Sequence, residues 1–174
     1  MKISIDKITI QRCTPSCIDE ILKIQSETFA ELEEADILRS NSEQMLRECL
    51  FSPHITIGAW YDEKLVAFSI LYFPSDDVPE ENLSLCLENV NINGIKSANN
   101  KLCIVRKEFR GNSLQCELGR KLESYALESG VGIICATVSP KNTHSIHNVN
   151  RLGYTYNRTL SKYGFERNLY YKFI

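Results

Sequence analysis

Residues 102–127 read LCIVRKEFRGNSLQCELGRKLESYAL, and the reading of this stretch decides the fold. Leu102–Arg106 is apolar and β-branched enough to form a strand. A polar loop follows from Lys107 to Ser113. Leu114, Leu118, Leu122, Tyr125 and Ala126 then recur along one helix face, and Gly130 ends the helix. A helix N-terminus exposes unpaired backbone N–H groups and the positive end of its dipole, so a strand–loop–helix turn of this kind makes an anion site. Arg110 and Gly111 stand just before it, and Asn112 tolerates a left-handed backbone. A phosphate or pyrophosphate is the natural occupant. The same residues also fit an ordinary strand–helix connection, and RGNS alone does not separate the two.

Downstream, Val131–Ser139 is apolar enough to be a strand buried on both faces. Pro140 stops it, Asn142 caps a further helix and Gly153 ends that helix, so residues 138–154 (VSPKNTHSIHNVNRLGY) carry an Asn-capped helix directly after a buried strand. Two closing strands lie near Tyr154–Leu160 and Asn168–Ile174. Upstream, Ile8–Arg12 is a first strand. Thr14-Pro15 opens a helix with Pro at the tolerated first position, and Ile18, Ile21, Leu22, Phe29 and Leu32 carry it to about residue 34. Asn41, as N-cap with Gln44 three residues on, opens a shorter helix that Pro53 closes. His54–Tyr61 and Leu65–Phe73 are strands, joined as a hairpin through Asp62-Glu63-Lys64. Residues 75–100, acidic and then Asn-rich, read as a loop or insertion with one short element. The order β-α-α-β-β-β-α-β-α-β-β predicts an α/β fold, a mixed sheet of about seven strands with helices on both faces. One domain is expected over residues 1–174.

Composition sets the outer bounds. The chain has 174 residues, 43% of them hydrophobic and 24% charged, with mean hydropathy −0.22. A single domain of this length buries roughly 70% of its unfolded surface. Collagen-like, low-complexity and wholly disordered classes are excluded. No uncharged apolar stretch nears the roughly 20 residues that span a bilayer. The opening MKISIDKITIQRC breaks its apolar residues with charges, unlike a signal peptide. The net charge of −2 conceals a split: residues 1–90 hold 17 acidic and 7 basic side chains, and residues 91–174 hold 5 acidic and 13 basic. Opposed halves fit an anionic ligand on one side and a cationic one on the other, or simply two solvated faces. The seven Cys, at 13, 17, 49, 86, 103, 116 and 135, include no CxxC pair. Buried free thiols in a reducing cytoplasm are therefore expected, and neither disulfides nor a metal site. The tail YGFERNLYYKF fits a terminal strand, and a pI of about 6.0 speaks against nucleic acid as a partner.

Taken together, residues 102–127 and 138–154 resemble the GCN5-related N-acetyltransferase (GNAT) family. In that family an acyl-CoA loop reading Arg/Gln-x-x-Gly-x-Gly/Ala follows a strand. The next helix reads Asn-x-x-Ala/Ser, with Gly-Phe/Tyr eight residues after the Ala/Ser. Here those features stand as Arg110–Gln115, Asn142, Ser145, Gly153 and Tyr154. The likeness is nearest to a bacterial subgroup with an RGNGLQ loop and a Lys-Tyr-Gly segment, here Lys162-Tyr163-Gly164. The resemblance implies an acceptor-side half at 1–74, a variable insertion at 75–100 and an acyl-CoA-binding half at 101–174. It implies that the backbone of Cys103, Ile104 and Val105 pairs with the pantetheine arm as with an added strand. It also implies that the N–H groups of Gly111, Asn112, Ser113, Leu114 and Gln115 hold the pyrophosphate, with Arg110 adding charge. Asn142 and Ser145 would lie along the cysteamine end. Ser113 stands where the family has Gly, and Gln115 where it has a small residue.

The implied reaction is acetyl transfer from acetyl-CoA, as co-substrate, to a primary amine by direct attack on the thioester. The amine must lose a proton and the departing thiolate must be stabilised. The family's usual Glu falls near Lys101 and its usual Tyr at Val149, so both familiar groups are missing. Tyr154, Tyr72, Glu88 and His144 are the substitutes left open. The acceptor is expected between the first two helices and the hairpin, where Phe29, Glu31, Glu33, Glu34 and Asp36 cluster, with Phe29, Glu33 and Tyr72 as contacts. That acidity favours a small cationic amine or a basic peptide terminus. The molecule is expected to be a monomer or homodimer, with neither nucleic acid nor membrane as partner. Two alternatives stand beside this reading: a GNAT-fold domain that binds acyl-CoA without turnover, and a protein-interaction module with an apolar patch around residues 75–100.

Overall fold

Seven strands build the molecule: β1 (Ile8–Arg12), β2 (Ile55–Tyr61), β3 (Lys64–Tyr72), β4 (Ser97–Val105), β5 (Ile133–Val138), β6 (Thr155–Lys162) and β7 (Phe165–Phe173). Four helices accompany them: α1 (Ile18–Glu31), α2 (Glu43–Glu48), α3 (Leu114–Glu128) and α4 (Thr143–Arg151). The computed structural model describes residues 7–174, so the first six residues of the amino-terminal segment read for its charges lie outside the described part. The strands form one mixed sheet in the order β1-β2-β3-β4-β5-β7-β6, with helices on both faces as the hydrophobic patterning predicts. Among the described residues β4–β5 is the single parallel pair.

Strand alternation divides the core. Leu102 and Ile104 of β4 pack with Phe68 of β3 and with Ile21 and Ile24 of α1. Their neighbours Cys103 and Val105 turn to the opposite face, where Leu114, Leu118 and Leu122 of α3 and Val149 of α4 lie. Phe68, Ile24 and Leu118 have no exposed surface. Truncating a side chain buried to that degree costs on the order of 3–5 kcal/mol.

The local corrections have physical causes. A 3₁₀ turn at Pro15–Cys17 precedes α1, which ends at Glu31 rather than about residue 34. Leu32 is extended there (ψ 127°), and the chain leaves the helix toward Ile37–Arg39 at the end of the sheet. The cap of α2 is Ser42, not Asn41: Met45 N donates to Ser42 Oγ at 3.2 Å. Asn41 is buried instead and exchanges two hydrogen bonds with the Gln25 side chain, at 2.8 and 3.2 Å, tying this segment to α1. The β2–β3 loop is two residues, Asp62 and Glu63, both with positive φ (47° and 64°), which matches the twist of a tight hairpin. Residues 75–100 hold two 3₁₀ turns, Pro79–Glu81 and Leu83–Cys86, and then the start of β4. That strand begins at Ser97, five residues before its apolar run, because Asn99 Nδ2 donates to Glu81 O at 2.6 Å and Ser97–Asn99 pair with β5. Among the described residues no helix is long and apolar enough to cross a membrane.

The parallel joint is short. Ser97, Ala98 and Asn99 pair with Ile133, Ile134 and Cys135, and the ladder then stops although both strands continue. Beyond it β4 stays on β3 and β5 stays on β7.

Candidate functional site

Where β4 and β5 part, a cleft of about 80 Å³ opens. Leu102 and Cys103 line it from β4, and Ala136–Ser139 from the end of β5. It also reaches Gln115, Asn142, Ser145 and Val149 of the α3–α4 face, and Leu38, Arg39, Tyr163 and Arg167 beside the other face. The cleft thus passes through the sheet at the point where backbone ladder groups lose their partners. Buried ladder groups require partners, and an extended amide chain can supply them.

The loop before α3 stands beside the α3–α4 end. Arg106 anchors it from within: Nε donates to Leu65 O at 3.0 Å, Nη2 to Glu20 at 2.9 Å, and Nη1 to Glu27. Gly111 has φ 80°, and nothing lies within 4 Å of where a Cβ would stand, so the space above this peptide is open. Ser113 takes the left-handed conformation (φ 60°) and turns the chain into α3. Cys116 is the first residue of the turn to donate, to Ser113 O at 2.9 Å. Among the described residues no acceptor meets the N–H groups of Gly111, Ser113, Leu114 and Gln115. Exposed Arg110 is held by Val105 O at 3.1 Å and by Glu31 at 3.3 Å. Gln115 bridges the two helices, donating to Ser145 Oγ at 3.3 Å and accepting from Asn148 Nδ2 at 2.8 Å. Asn142 Oδ1 caps α4 by accepting from Ser145 N at 3.0 Å. Loop, α3 and α4 are therefore one hydrogen-bonded unit.

Cations dominate the opposite end. Glu81 accepts from Lys101 at 2.5 Å and from Arg39 at 3.1 Å. Burial raises the Glu81 carboxyl, but the hydrogen bonds and charges of Arg39 and Lys101 outweigh it and hold the group below the usual carboxylate range. Arg39 lies over the Tyr163 ring, 3.6 Å from its centroid. Burial and the Glu81 charge push the Tyr163 phenol up to about 12, so it is a protonated donor at neutral pH. Arg167 reaches the same cleft from β7, donating through Nη1 to Asp36 O. Among the described residues Cys103 is the one cysteine lining the cleft, and burial pushes its thiol up to about 12, far from a reactive thiolate.

The structure gathers Cys103, Gln115, Asn142 and Ser145 at the cleft and sets Arg110–Leu114 at its α3 approach. Ile104 and Val105 continue β4 alongside. The four substitutes lie elsewhere. Tyr154 is buried in the core, and that burial drives its phenol well above the usual range. Tyr72 stacks on His54 at 4.3 Å and carries Lys101 Nζ 4.2 Å over its ring, one layer behind the cleft. Glu88 pairs with Arg158 on the surface, and His144 is exposed on α4. Phe29 and Glu33 are not among the lining residues; the chain just after them, Ile37–Arg39, is. Val149 lines the cleft at 4% exposure.

No family model matches the sequence, and no curated protein matches it significantly. Solved structures do match. The PaiA N-acetyltransferase of Thermoplasma acidophilum, in complex with coenzyme A, has a TM-score of 0.71 at 13% identity, over 96% of this chain and 99% of its own. The GNAT-family acetyltransferase of Streptococcus pneumoniae has a TM-score of 0.67 at 14% identity, over 96% and 99%. The fold is that of the GNAT acyltransferases. The ribosomal-protein-alanine N-acetyltransferase of Brucella melitensis shares this GNAT fold, with a TM-score of 0.71 at 16% identity over 95% and 99%.

Sequence reading missed Arg39, Asn99 and Arg167 at the cleft and Glu81, which holds two of its cations. Each lies in a turn or on a strand whose neighbours carry no distinctive spacing. Tyr163 left one signal, the Lys162-Tyr163-Gly164 segment, whose Tyr163 and Gly164 form the two-residue β6–β7 hairpin loop with φ 58° and 81°.

Proposed function

We propose that the protein is an acetyl-CoA-dependent N-acetyltransferase that transfers an acetyl group to a primary amine by direct attack on the thioester. The observation that carries this reading is the parting of β4 and β5 beside the unpartnered N–H groups that lead into α3. The pantetheine arm lies along Cys103, Ile104 and Val105 and takes the ladder groups that β4 turns away from β3 beyond the parting. The pyrophosphate sits on the Gly111–Gln115 loop, over the space that the missing Gly111 Cβ leaves open. Arg110 adds charge there, and Asn142 and Ser145 flank the cysteamine end. Bound acetyl-CoA supplies the activated acyl group. The protonated Cys103 thiol favours direct transfer over an acyl-cysteine. Glu81 is ionised but engaged by two cations, so the amine's proton leaves through water, and catalysis rests mainly on positioning. Seven free cysteines fit work in a reducing cytoplasm.

The test is release of free CoA thiol from acetyl-CoA across a panel of amines. It is paired with thermal titration by acetyl-CoA of the wild type, Arg110→Ala and Gly111→Trp. Tm should rise with ligand in the wild type and stay flat in Gly111→Trp. Absence of any acetyl-CoA binding would overturn the reading. One observation favours a second reading, a domain that holds acyl-CoA without turnover: Lys101 is locked to Glu81 and Val149 is apolar where the resemblance expects Glu and Tyr. Acetyl-CoA binding with thioester consumption at background would decide for it.

A further inference from the structure

Arg167 is 3% exposed and incompletely satisfied. Its Nη1 donates to Asp36 O and its guanidinium lies 5.6 Å from the Phe165 ring centroid, but Nη2 is buried without a hydrogen-bond partner. Among the described residues no carboxylate pairs with it. The Asp36 carboxylate is engaged by Lys141 at 3.1 Å. The other two cleft cations, Arg39 and Lys101, share Glu81. Three cations against one carboxylate leave the cleft two positive charges in excess, and of the three Arg167 is the one without a carboxylate partner. A buried charge left unpaired is costly, and a guanidinium fork matches a carboxylate. The same cleft holds the complementary vacancy in hydrogen bonding: Asn99, 2% exposed, gives its Nδ2 to Glu81 O while its Oδ1 is buried and unpartnered. The cleft therefore lacks an anion for Arg167 and an N–H donor for Asn99.

We propose that the acceptor is an amine that also carries a carboxylate, an amino-acid-like molecule whose carboxylate binds Arg167 Nη2 and whose amine N–H meets Asn99 Oδ1. The proposal rests on the acetyltransferase reading and names its substrate class. It departs from a purely cationic acceptor, because most of the acids that suggested one are engaged by cations: Glu34 and Asp36 share Lys141, and Arg110 holds Glu31. In the transfer the N–C bond forms as the thioester C–S bond breaks. The amine gives one proton to water, and the departing thiolate takes one up as free CoA thiol.

The experiment compares matched acceptors (free amino acids, their carboxamides and their decarboxylated amines) with acetyl-CoA, on the wild type, Arg167→Lys and Arg167→Met, each checked by its melting curve. The wild type should prefer the carboxylate form by about 30-fold or more in kcat/KM. That preference should shrink to within about threefold in Arg167→Met, while activity on the carboxamide persists. If Arg167→Met does not fold, Arg167→Lys replaces it, with a raised KM for the amino acid and a reduced preference for it over the carboxamide as the supporting result. A wild-type preference for the decarboxylated amine overturns the proposal, as does a carboxylate preference untouched by the substitution. If no amine is turned over, the readout becomes the Tm of the protein with CoA plus N-acetyl amino acids or their amides. A shift given only by the carboxylates, and lost in the variant, supports the Arg167 site while rejecting the enzymatic reading. No discrimination between the two overturns the site.

Discussion

Ser113 sits at φ 60° at the entrance to α3 and makes no side-chain bond to the helix it precedes. A side chain with a Cβ carries a left-handed penalty there, which glycine escapes at some cost in unfolded-state entropy. Ser113→Gly should therefore stabilise the fold by about 0.5–1 kcal/mol, read as a higher urea midpoint with an unchanged slope. Glu81 offers a test in pH. A carboxyl held below its ordinary 4.5 adds stability at pH above that value and loses it as pH falls through the lowered one. The Tm difference between wild type and Glu81→Gln should be widest near neutrality and close as the pH drops below 4.5. At this scale the sequence was legible where a residue has a backbone reason to be present. Gly111, Asn142 and Gly164 each announce a turn or cap. Glu81 and Arg167 have no such local reason, since their partners come from across the fold: Lys101 from β4, and Asp36 from the segment after α1.

Among the elements, α3 and α4 behave as one because Gln115 spans them. Gln115→Ala removes both bridging bonds and should cost about 1–2 kcal/mol in stability. On the acetyltransferase reading it should also weaken acetyl-CoA several-fold by calorimetry. Elements with a continuous apolar period were recovered nearly whole, as with α3 and β5. Those built from polar residues were not. The first half of β4, Ser-Ala-Asn-Asn, has little strand propensity and is extended only because β5 and Glu81 hold it. Ser42 and Asn41 are both good capping residues, and the choice between them was made by the Gln25 side chain of α1, which no local pattern reveals.

At the scale of the molecule, the charge division between the two halves of the sequence has found its use inside the fold. Seven of the twelve ion pairs among the described residues join an acid of the acidic half to a base of the basic half, Arg106 with Glu20 and Glu27 and Lys141 with Glu34 among them. Most are exposed and individually weak, but these seven share one direction, and Lys64–Glu108 alone crosses between the halves the other way. Raising NaCl from low salt to about 0.5 M should lower the urea-measured stability by about 1–2 kcal/mol, and charge reversal of Glu34 should reduce that salt effect. No change in stability with salt would show that these pairs contribute nothing net.

The three-residue seam between β4 and β5 also makes the sheet a lever. On one side is the panel β1–β4 and on the other β5–β7, fastened at Ser97–Asn99 against Ile133–Cys135. The tip of β4 at Val105 lies six residues from the seam, roughly 20 Å at the rise of an extended strand. A rotation of only about 5° at the fastening displaces that tip by roughly 2 Å, a large fraction of the ~4.8 Å between paired strands. Aperture is thus a sensitive coordinate: a small angle at the seam becomes a large displacement at the open end. In the proposed complex an amide arm laid between the panels adds rungs at the long end of the lever, where each gives the greatest mechanical advantage. Binding the donor and setting the width of the opening then become one event.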